Sequence, residues 1–517
     1  MSWDKSTDVY TRPDILQRLL TTNHPPTPED IGPLEESRKS VRHSLLQVQK
    51  EISILQQSLT ALKQKEAHLL VADDELRGIL SPIRRIPREI LTEILSLVPE
   101  PKPRSYYDDK AVQFHDVSDT SSGYGLPWTL SYVCQEWRTI LISLCPQLWT
   151  NLDIGSHPEP KKNPLALLRE ALKRSGDRPL CIKYWLCFLD DMPTVVVEIA
   201  MELLQTIVSC CKRWRVVEMG IKQHMWPALC PILACGPLPF LEVLKINCYS
   251  YSSNSGTFPT AYRPVTLDSH PYLLKILSES PKLRDFSLSY DAENDGLPSC
   301  VTTTPIRCES MRTLTAFDVV IFESLELPGL EDLNVSTRES EPDEPDFHGP
   351  DEMLSVLHAL VLRSRPPLVH LTLTDTIIDE NLLRIIALTP ALATLKFEFQ
   401  QWLEEFDVVF QELMTRLGEV VPSTGAHRLV PGLQLFCVEI WSVATSQHVD
   451  FVNQQFVSVV VSRWTSPQRA LKTIIIEADV EYRLSSADVR SLKMCQAQGL
   501  EMSIVGEYKN GGCIQYV

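Results

Sequence analysis

Short apolar segments of one form recur after residue 150, and they constrain the fold more than any other feature. Their form is roughly L-x-x-L-x-Φ, where Φ is apolar, as in PFLEVLKIN (239–247) and PALATLKF (390–397). Several follow a helix-like stretch such as DEMLSVLHALVLRS (351–364), so each unit predicts a helix, a turn and a strand. The first leucine of the unit, a methionine at 311, falls at positions 241, 283, 311, 330, 368, 392, 433 and 471.

Stacked units of this kind place parallel strands in one sheet and helices on its outer face. For residues 151–517 we therefore predict an α/β fold, an irregular leucine-rich-repeat-like solenoid with the leucines in its interior. The steps between first leucines vary from 19 to 42 residues, so the connecting loops are uneven. An ordinary α/β domain whose strands follow prolines is the alternative that the pattern leaves open.

Residues 34–80 predict a long helix whose apolar positions are spaced alternately by three and four residues. This heptad spacing is typical of a coiled coil, although Glu66 and Asp73 occupy two of its positions. The apolar members are Val41, Leu45, Val48, Ile52, Leu55, Leu59, Leu62, Leu69, Leu76 and Leu80. They fit pairing with a second copy or with another helix, and they also fit packing against the chain's own body. Residues 1–33 are polar and contain prolines, which predicts disorder.

Composition limits the partners and the compartment. The chain has 517 residues and a formal net charge of −17, which argues against binding nucleic acid through its phosphates. It contains no apolar run long enough for a membrane span, and its start does not resemble a secretory signal. The 14 cysteines lie mostly in apolar segments without zinc spacing, as expected for reduced thiols in a cytoplasmic or nuclear protein.

Motifs for catalysis are missing from the sequence. It has neither of the usual glycine-rich nucleotide loops, no H-E-x-x-H and no G-x-S-x-G. The histidines are isolated from one another, and no pair of carboxylates stands out. We therefore predict a protein that is not an enzyme and holds no cofactor or metal. A catalyst of unfamiliar type is the alternative that missing motifs leave open.

Two short apolar helices are predicted between residues 82 and 150. Pro87 suits the first turn of one helix, where a missing N–H has no cost. A polar stretch, 99–127, separates it from a second helix over about 128–144, and Leu148 and Trp149 follow. The main apolar positions are Ile90, Leu91, Ile94 and Leu95 in the first helix and Val133, Cys134, Trp137 and Ile140 in the second.

The two stretches IRRIPREILTEILSLV (83–98) and LSYVCQEWRTILISLCPQLW (130–149) together resemble an F-box. The resemblance covers roughly residues 82–150 and lies in the order of a proline, an apolar helix, V-C-x-x-W and a closing L-W. The closing pair and the coiled coil ahead of the box are similar to F-box-like proteins common in fungi. The link 99–127 departs from the family, whose helices are normally joined by a short connection.

This resemblance implies the substrate-recognition subunit of an SCF-type ubiquitin ligase. In the family, the F-box docks on a Skp-family adaptor, the adaptor links it to a cullin, and the C-terminal part holds a protein substrate. The adaptor-binding residues that the resemblance implies are Pro87, Ile90, Leu91, Ile94, Leu95, Val133, Cys134, Trp137 and Ile140. Two alternatives stay open: a helical cap on the repeat domain, and a scaffold unconnected to ubiquitin that pairs through the coiled coil.

Overall fold

The computed structural model describes a defined set of residues, which divide into two compact units. The units are Met1–Leu91 and Thr92–Val517. The predicted link 99–127 lies outside the described residues except for its last two. The described residues are 14–22, 24–97, 126–155, 163–185, 194–249, 270–290, 304–336, 351–443, 449–478, 480, 482, 484–508 and 512–517.

The first unit contains a short helix, α1 (Asp14–Thr22), and a long helix, α2 (Pro28–Ile79). The predicted long N-terminal helix is confirmed. At a rise of 1.5 Å per residue, its 52 residues extend over about 78 Å. The helix begins at Pro28, six residues before the predicted start, whereas the sequence predicted disorder through residue 33. The early start is explained by a capping box between Thr27 and Asp30. Pro33 lies inside the helix, and α1 is likewise ordered.

The Asp30 carboxylate satisfies donors at the start of α2. It accepts hydrogen bonds from the Thr27 hydroxyl at 2.6 Å and the Thr27 backbone N–H at 3.1 Å, and it lies 3.4 Å from Arg18 of α1. The hydrogen bond from the Thr27 hydroxyl is the main reason that the pKa of Asp30 falls below its ordinary value. The carboxylate therefore stabilises the helix start in its ionised form.

We expect the substitution Asp30→Asn to accelerate amide hydrogen exchange severalfold in the first two turns of α2 at neutral pH. Because the folded-state pKa is lowered, this contribution is present above the ordinary value of 3.8 and is lost as pH falls through the folded-state pKa. Exchange measured by mass spectrometry at several pH values checks both effects. Glu29→Gln, in the same turn, is the control. Equal protection in the two variants at neutral pH would show that the cap has no role.

Three short helices follow α2 in the chain. They are α3 (Arg88–Ser96), α4 (Leu126–Ser131) and α5 (Gln135–Ser143). The division between the two units falls within α3, after Leu91. The single helix predicted over 128–144 is wrong, since the backbone leaves the helical conformation between Ser131 and Gln135.

A sheet of thirteen strands dominates the described part of the second unit. Twelve strands are parallel, as predicted, and the last, β15 (Gly512–Gln515), pairs antiparallel with β14 (Glu501–Tyr508). Strands β6 and β8 form a separate parallel pair. The order in the large sheet follows the chain: β1, β2, β3, β4, β5, β7, β9, β10, β11, β12, β13, β14, β15. The strands are β1 (Asn151–Ile154), β2 (Leu180–Trp185), β3 (Trp214–Lys222), β4 (Val243–Tyr249), β5 (Asp285–Tyr290), β6 (Ile306–Arg307), β7 (Thr313–Ala316), β8 (Leu325–Glu326), β9 (Asp332–Val335), β10 (His370–Thr374), β11 (Thr394–Gln401), β12 (Leu435–Ser442), β13 (Thr473–Ala478), β14 (Glu501–Tyr508) and β15 (Gly512–Gln515).

The L-x-x-L-x-Φ segments coincide with strands of this sheet. In each of the eight with an assigned first position, a strand begins two residues later, as β4 does after Leu241 and β11 after Leu392. These first side chains are buried, including Met311. Along the strands, buried and half-exposed residues alternate, so one face of the sheet is covered.

Helices cover that face, since their side chains reach the buried strand residues. The ring of Phe410 in α13 lies 4.9 Å from that of Phe397 in β11, and Tyr184 of β2 donates to the carbonyl of Ala200 in α7 at 2.9 Å. Most of these helices pack against the next helix in the chain. The helices of the second unit after α5 are α6 (Pro164–Arg174), α7 (Thr194–Val208), α8 (Pro231–Cys235), α9 (His270–Ser278), α10 (Val319–Ser324), α11 (Met353–Ser364), α12 (Asn381–Leu388), α13 (Glu404–Gly418), α14 (Gln454–Thr465) and α15 (Ser486–Ala497).

Candidate partner-binding surface

Helix α3 has one buried and one exposed apolar stripe. Leu91 and Leu95, one turn apart, are 3% and 2% exposed. Ile90 and Ile94 are 48% and 47% exposed, and Leu97 just beyond the helix is also exposed. Positions separated by four and then three residues lie on one side of a helix. The exposed stripe is thus an apolar surface along one side of α3.

Pro87 lies just before this helix, where its ring fits the chain. Its carbonyl accepts the first helical hydrogen bond, from the Leu91 N–H at 2.9 Å. Proline has no N–H of its own, and none is needed at this point of a helix. Pro87 is exposed, so it extends the apolar surface of α3 toward the preceding turn.

The turn between α4 and α5 presents a second apolar group. Cys134 ends the turn, and its Sγ accepts a hydrogen bond from the Trp137 N–H at 3.5 Å as the N-cap of α5. Arg138 donates from Nε to the Ser131 carbonyl at 3.0 Å, which satisfies the end of α4. These two hydrogen bonds stabilise the break between α4 and α5, where the sequence predicted one continuous helix. They leave Val133 exposed at the tip of the turn.

The nine residues implied by the resemblance divide by burial. Leu91, Leu95 and Ile140 are buried. Trp137 is half-buried. The exposed members are Pro87, Ile90, Ile94, Val133 and Cys134. Within α3 the structure brings together Ile90 and Ile94, and at the α4–α5 turn it brings together Val133, Cys134 and Trp137.

Further exposed apolar residues lie in or beside α3, α4 and α5, and the sequence did not predict them as part of the surface. They include Leu97, Tyr132 and Leu144. The spacing of Leu97 from Ile90, seven residues, marks it as a member of the same helix face. No comparable signal was available for Tyr132, because its exposure depends on the break between α4 and α5.

The α4–α5 turn is anchored by a buried aromatic pair. Trp149 donates from Nε1 to the Leu141 carbonyl at 3.0 Å. Its ring packs edge-on against Trp128 with centroids 5.0 Å apart. The guanidinium of Arg174, from α6, lies 4.5 Å from the Trp149 ring and 4.7 Å from the Trp128 ring, a cation–π arrangement. Strand β1 begins two residues after Trp149, so the turn is fixed to the first edge of the sheet.

The half-exposed residues of the strands lie on the face of the sheet opposite the helices. This face is a second candidate surface, here called the open face. Lys396 on this face lies 2.6 Å from Glu398 and 3.3 Å from Glu439. Although burial alone lowers it, the hydrogen bonds and charges of these two carboxylates raise the pKa of Lys396 to about 12. Burial raises the pKa of Asp285 and of Asp332. The described carboxylates on the open face are Asp153, Glu218, Asp285, Asp332, Glu398, Glu439, Glu477 and Glu501.

Two buried titratable groups in the described ranges are held by hydrogen bonds. Asp407 accepts hydrogen bonds from the Trp402 indole at 3.1 Å and the Phe451 N–H at 2.9 Å. Arg463 donates to backbone carbonyls. Among the described residues, no three His, Cys, Asp or Glu side chains are placed to hold one metal ion. No helix in the described part of the chain is both long and apolar enough to cross a membrane.

Comparison with known proteins adds no identification to this description. No protein-family model matches the chain, and a search of curated proteins finds no similar sequence.

Proposed function

We propose that this chain is a non-enzymatic substrate receptor of a cullin–RING ubiquitin ligase. A Skp-family adaptor would dock on α3 and on the α4–α5 turn, and a cullin would join through the adaptor. The observation that carries the proposal is the division within α3. The same short helix that resembles an F-box keeps Leu91 and Leu95 buried and leaves Ile90 and Ile94 exposed. Exposed apolar residues grouped on one helix face are typical of a partner site.

We further propose that the large sheet and its helices form a leucine-rich-repeat-like solenoid. The chain-ordered parallel strands support this reading, as does the constant offset between each first leucine and its strand. Substrate binding is assigned to the open face. Its carboxylates outnumber the lysines Lys183, Lys245 and Lys396, which favours a basic segment of a partner. The receptor would raise the effective concentration of a target lysine near ligase-bound ubiquitin, in the cytoplasm or the nucleus.

The double substitution Ile90→Asp with Ile94→Asp is expected to weaken binding of the full chain to a Skp-family adaptor by at least about tenfold. Each change replaces apolar area that the complex would bury with a charge that burial disfavours. Co-purification and titration calorimetry measure the loss. The matched control is Leu362→Asp with Val408→Asp, which alters two exposed apolar residues on α11 and α13. Circular dichroism verifies that both variants fold.

Absence of adaptor binding by the folded native chain would overturn this proposal. Equal weakening by the control pair would show that the loss is not specific to α3. In either case the second candidate function, a non-catalytic scaffold unconnected to ubiquitin, becomes the better one. The exposed apolar residues of α2 favour that candidate, because they offer a pairing surface that needs no adaptor.

A further inference from the structure

Helix α2 presents an apolar seam that nothing in the described chain covers. Asp30 is its only buried residue among those described. The ten seam residues named from the heptad spacing are between 39% and 65% exposed, from Val41 to Leu62. A helix of about 78 Å whose exposed seam is apolar at most positions is a surface for another helix. The question is which helix fits it.

The charged seam positions argue against a parallel pair. In heptad terms Leu45, Ile52 and Leu59 occupy a positions, and Val48, Leu55 and Leu62 occupy d positions. Three further a positions are charged: Arg38, Glu66 and Asp73. In a parallel pair of identical helices each a residue faces its own copy. Arg38 would then face Arg38, Glu66 would face Glu66 and Asp73 would face Asp73, three contacts between like charges.

An antiparallel pair with full overlap avoids these contacts and keeps the seam in register. When Pro28 of one helix lies beside Ile79 of the other, every a position faces a d position. Leu45 then faces Leu62, Val48 faces Leu59 and Ile52 faces Leu55. Because each contact occurs twice, the centre of the pair has six consecutive apolar layers. Full overlap of the two copies of α2 selects this register among those, seven residues apart, that place a positions opposite d positions.

The same register gives the charged positions favourable neighbours. Arg38 faces Leu69 of the second copy, and the a positions on either side of Leu69 are Glu66 and Asp73. The arginine therefore lies between two carboxylates instead of opposite another arginine. Asp73 already pairs with Arg77 of its own helix at 2.8 Å, so the arrangement adds a second cation to an existing ion pair.

We propose that α2 pairs with α2 of a second copy of this chain as an antiparallel coiled coil. The pairing is independent of the proposed ligase function, since it uses residues 28–79 and none of the adaptor-binding residues. It commits the seam to a second copy and assigns both orientation and register. The following experiments distinguish this pair from two other outcomes. One is a parallel pair, and the other is a chain that stays monomeric because its seam serves a helix of another protein.

Sedimentation velocity of the full chain tests the pairing itself. We expect a dimer at micromolar concentration and a monomer for Ile52→Asp with Leu55→Asp, which places four carboxylates in the central layers. Ser53→Asp with Gln57→Asp, two changes off the seam on the same turns, is expected to stay dimeric. Circular dichroism verifies helix content in each variant. A native chain that is monomeric at tens of micromolar would overturn the proposal.

A charge exchange tests the orientation. Arg38→Glu is expected to weaken the dimer about tenfold or more, because it places a carboxylate between Glu66 and Asp73 of the second copy. Adding Glu66→Arg to the same chain is expected to recover most of the loss. In a parallel dimer Arg38→Glu only replaces one like-charged contact with another. Unchanged affinity in this variant, together with no effect of the second change, would refute the antiparallel arrangement.

Discussion

Substituting Phe410 by alanine should lower the free energy of unfolding by about 3–5 kcal/mol, the usual range for a buried phenylalanine. Phe410 is fully buried, and its ring lies 4.8 Å from that of Phe451 and 5.3 Å from that of Trp402. Ring pairs of this kind add about 0.5–1.5 kcal/mol beyond the area that they bury. The missing ring would leave a cavity where α13 meets the sheet, so we expect the second unit to lose stability.

Chemical denaturation followed by tryptophan fluorescence measures this effect. Phe240→Ala makes the same chemical change at a ring that is 39% exposed, and we expect it to cost less than half as much. A second control, Val408→Ala, changes an exposed residue of α13 itself. A loss for Phe410 that is as small as the loss expected for Phe240 would contradict the stabilising role of the aromatic cluster around Phe410.

Arg463→Met is expected to destabilise the chain by about 3–5 kcal/mol, because it leaves buried carbonyl groups without donors. Arg463 is 5% exposed, and its guanidinium donates to the carbonyls of Leu417, Leu429 and Val430 at 3.0, 2.7 and 3.0 Å. Leu417 lies in the last turn of α13, so the arginine caps that helix. Burial lowers the pKa of Arg463 to about 10, which still leaves it charged at neutral pH.

The arginine also holds a strained turn. Val430 has a φ of 39°, in the left-handed region that a β-branched residue rarely adopts. Arg416→Met is the matched control, since Arg416 on α13 is partly exposed and pairs with Glu412 at 2.7 Å. Exposed pairs of this type contribute about 0.3–0.5 kcal/mol. Denaturant titration of the two variants compares them, and equal losses would contradict the capping role.

Most strands of the sheet could be predicted from the sequence because they share one local environment. Each first leucine, such as Leu392, is buried two residues before a strand, and the repeated environment leaves a repeated pattern. Strands β1, β2, β14 and β15 lie outside that pattern, and none of them was predicted. Their pairing depends on strands already present at the two ends of the sheet, which is tertiary information.

Only some features of the candidate site could be predicted from the sequence. The apolar stripe of α3 was evident, but its period cannot distinguish Ile90, which is exposed, from Leu91, which is buried. Only packing decides which side of a broad stripe is covered. The break before α5 was missed for a related reason. Cysteine is not among the preferred N-cap residues, and the bond to Cys134 appears only once the backbone turns. The early start of α2, by contrast, has a signal in the sequence, the Thr27–Asp30 capping box, which the prediction did not use.

The chain-ordered sheet has a consequence for how the protein is made. In the large sheet, each strand after β1 pairs with a strand that has already left the ribosome when the later strand emerges. Growth can therefore proceed from β1 onward without inserting a late strand between two early ones. The last strand of the sheet, β15, turns back on β14 and pairs with it antiparallel.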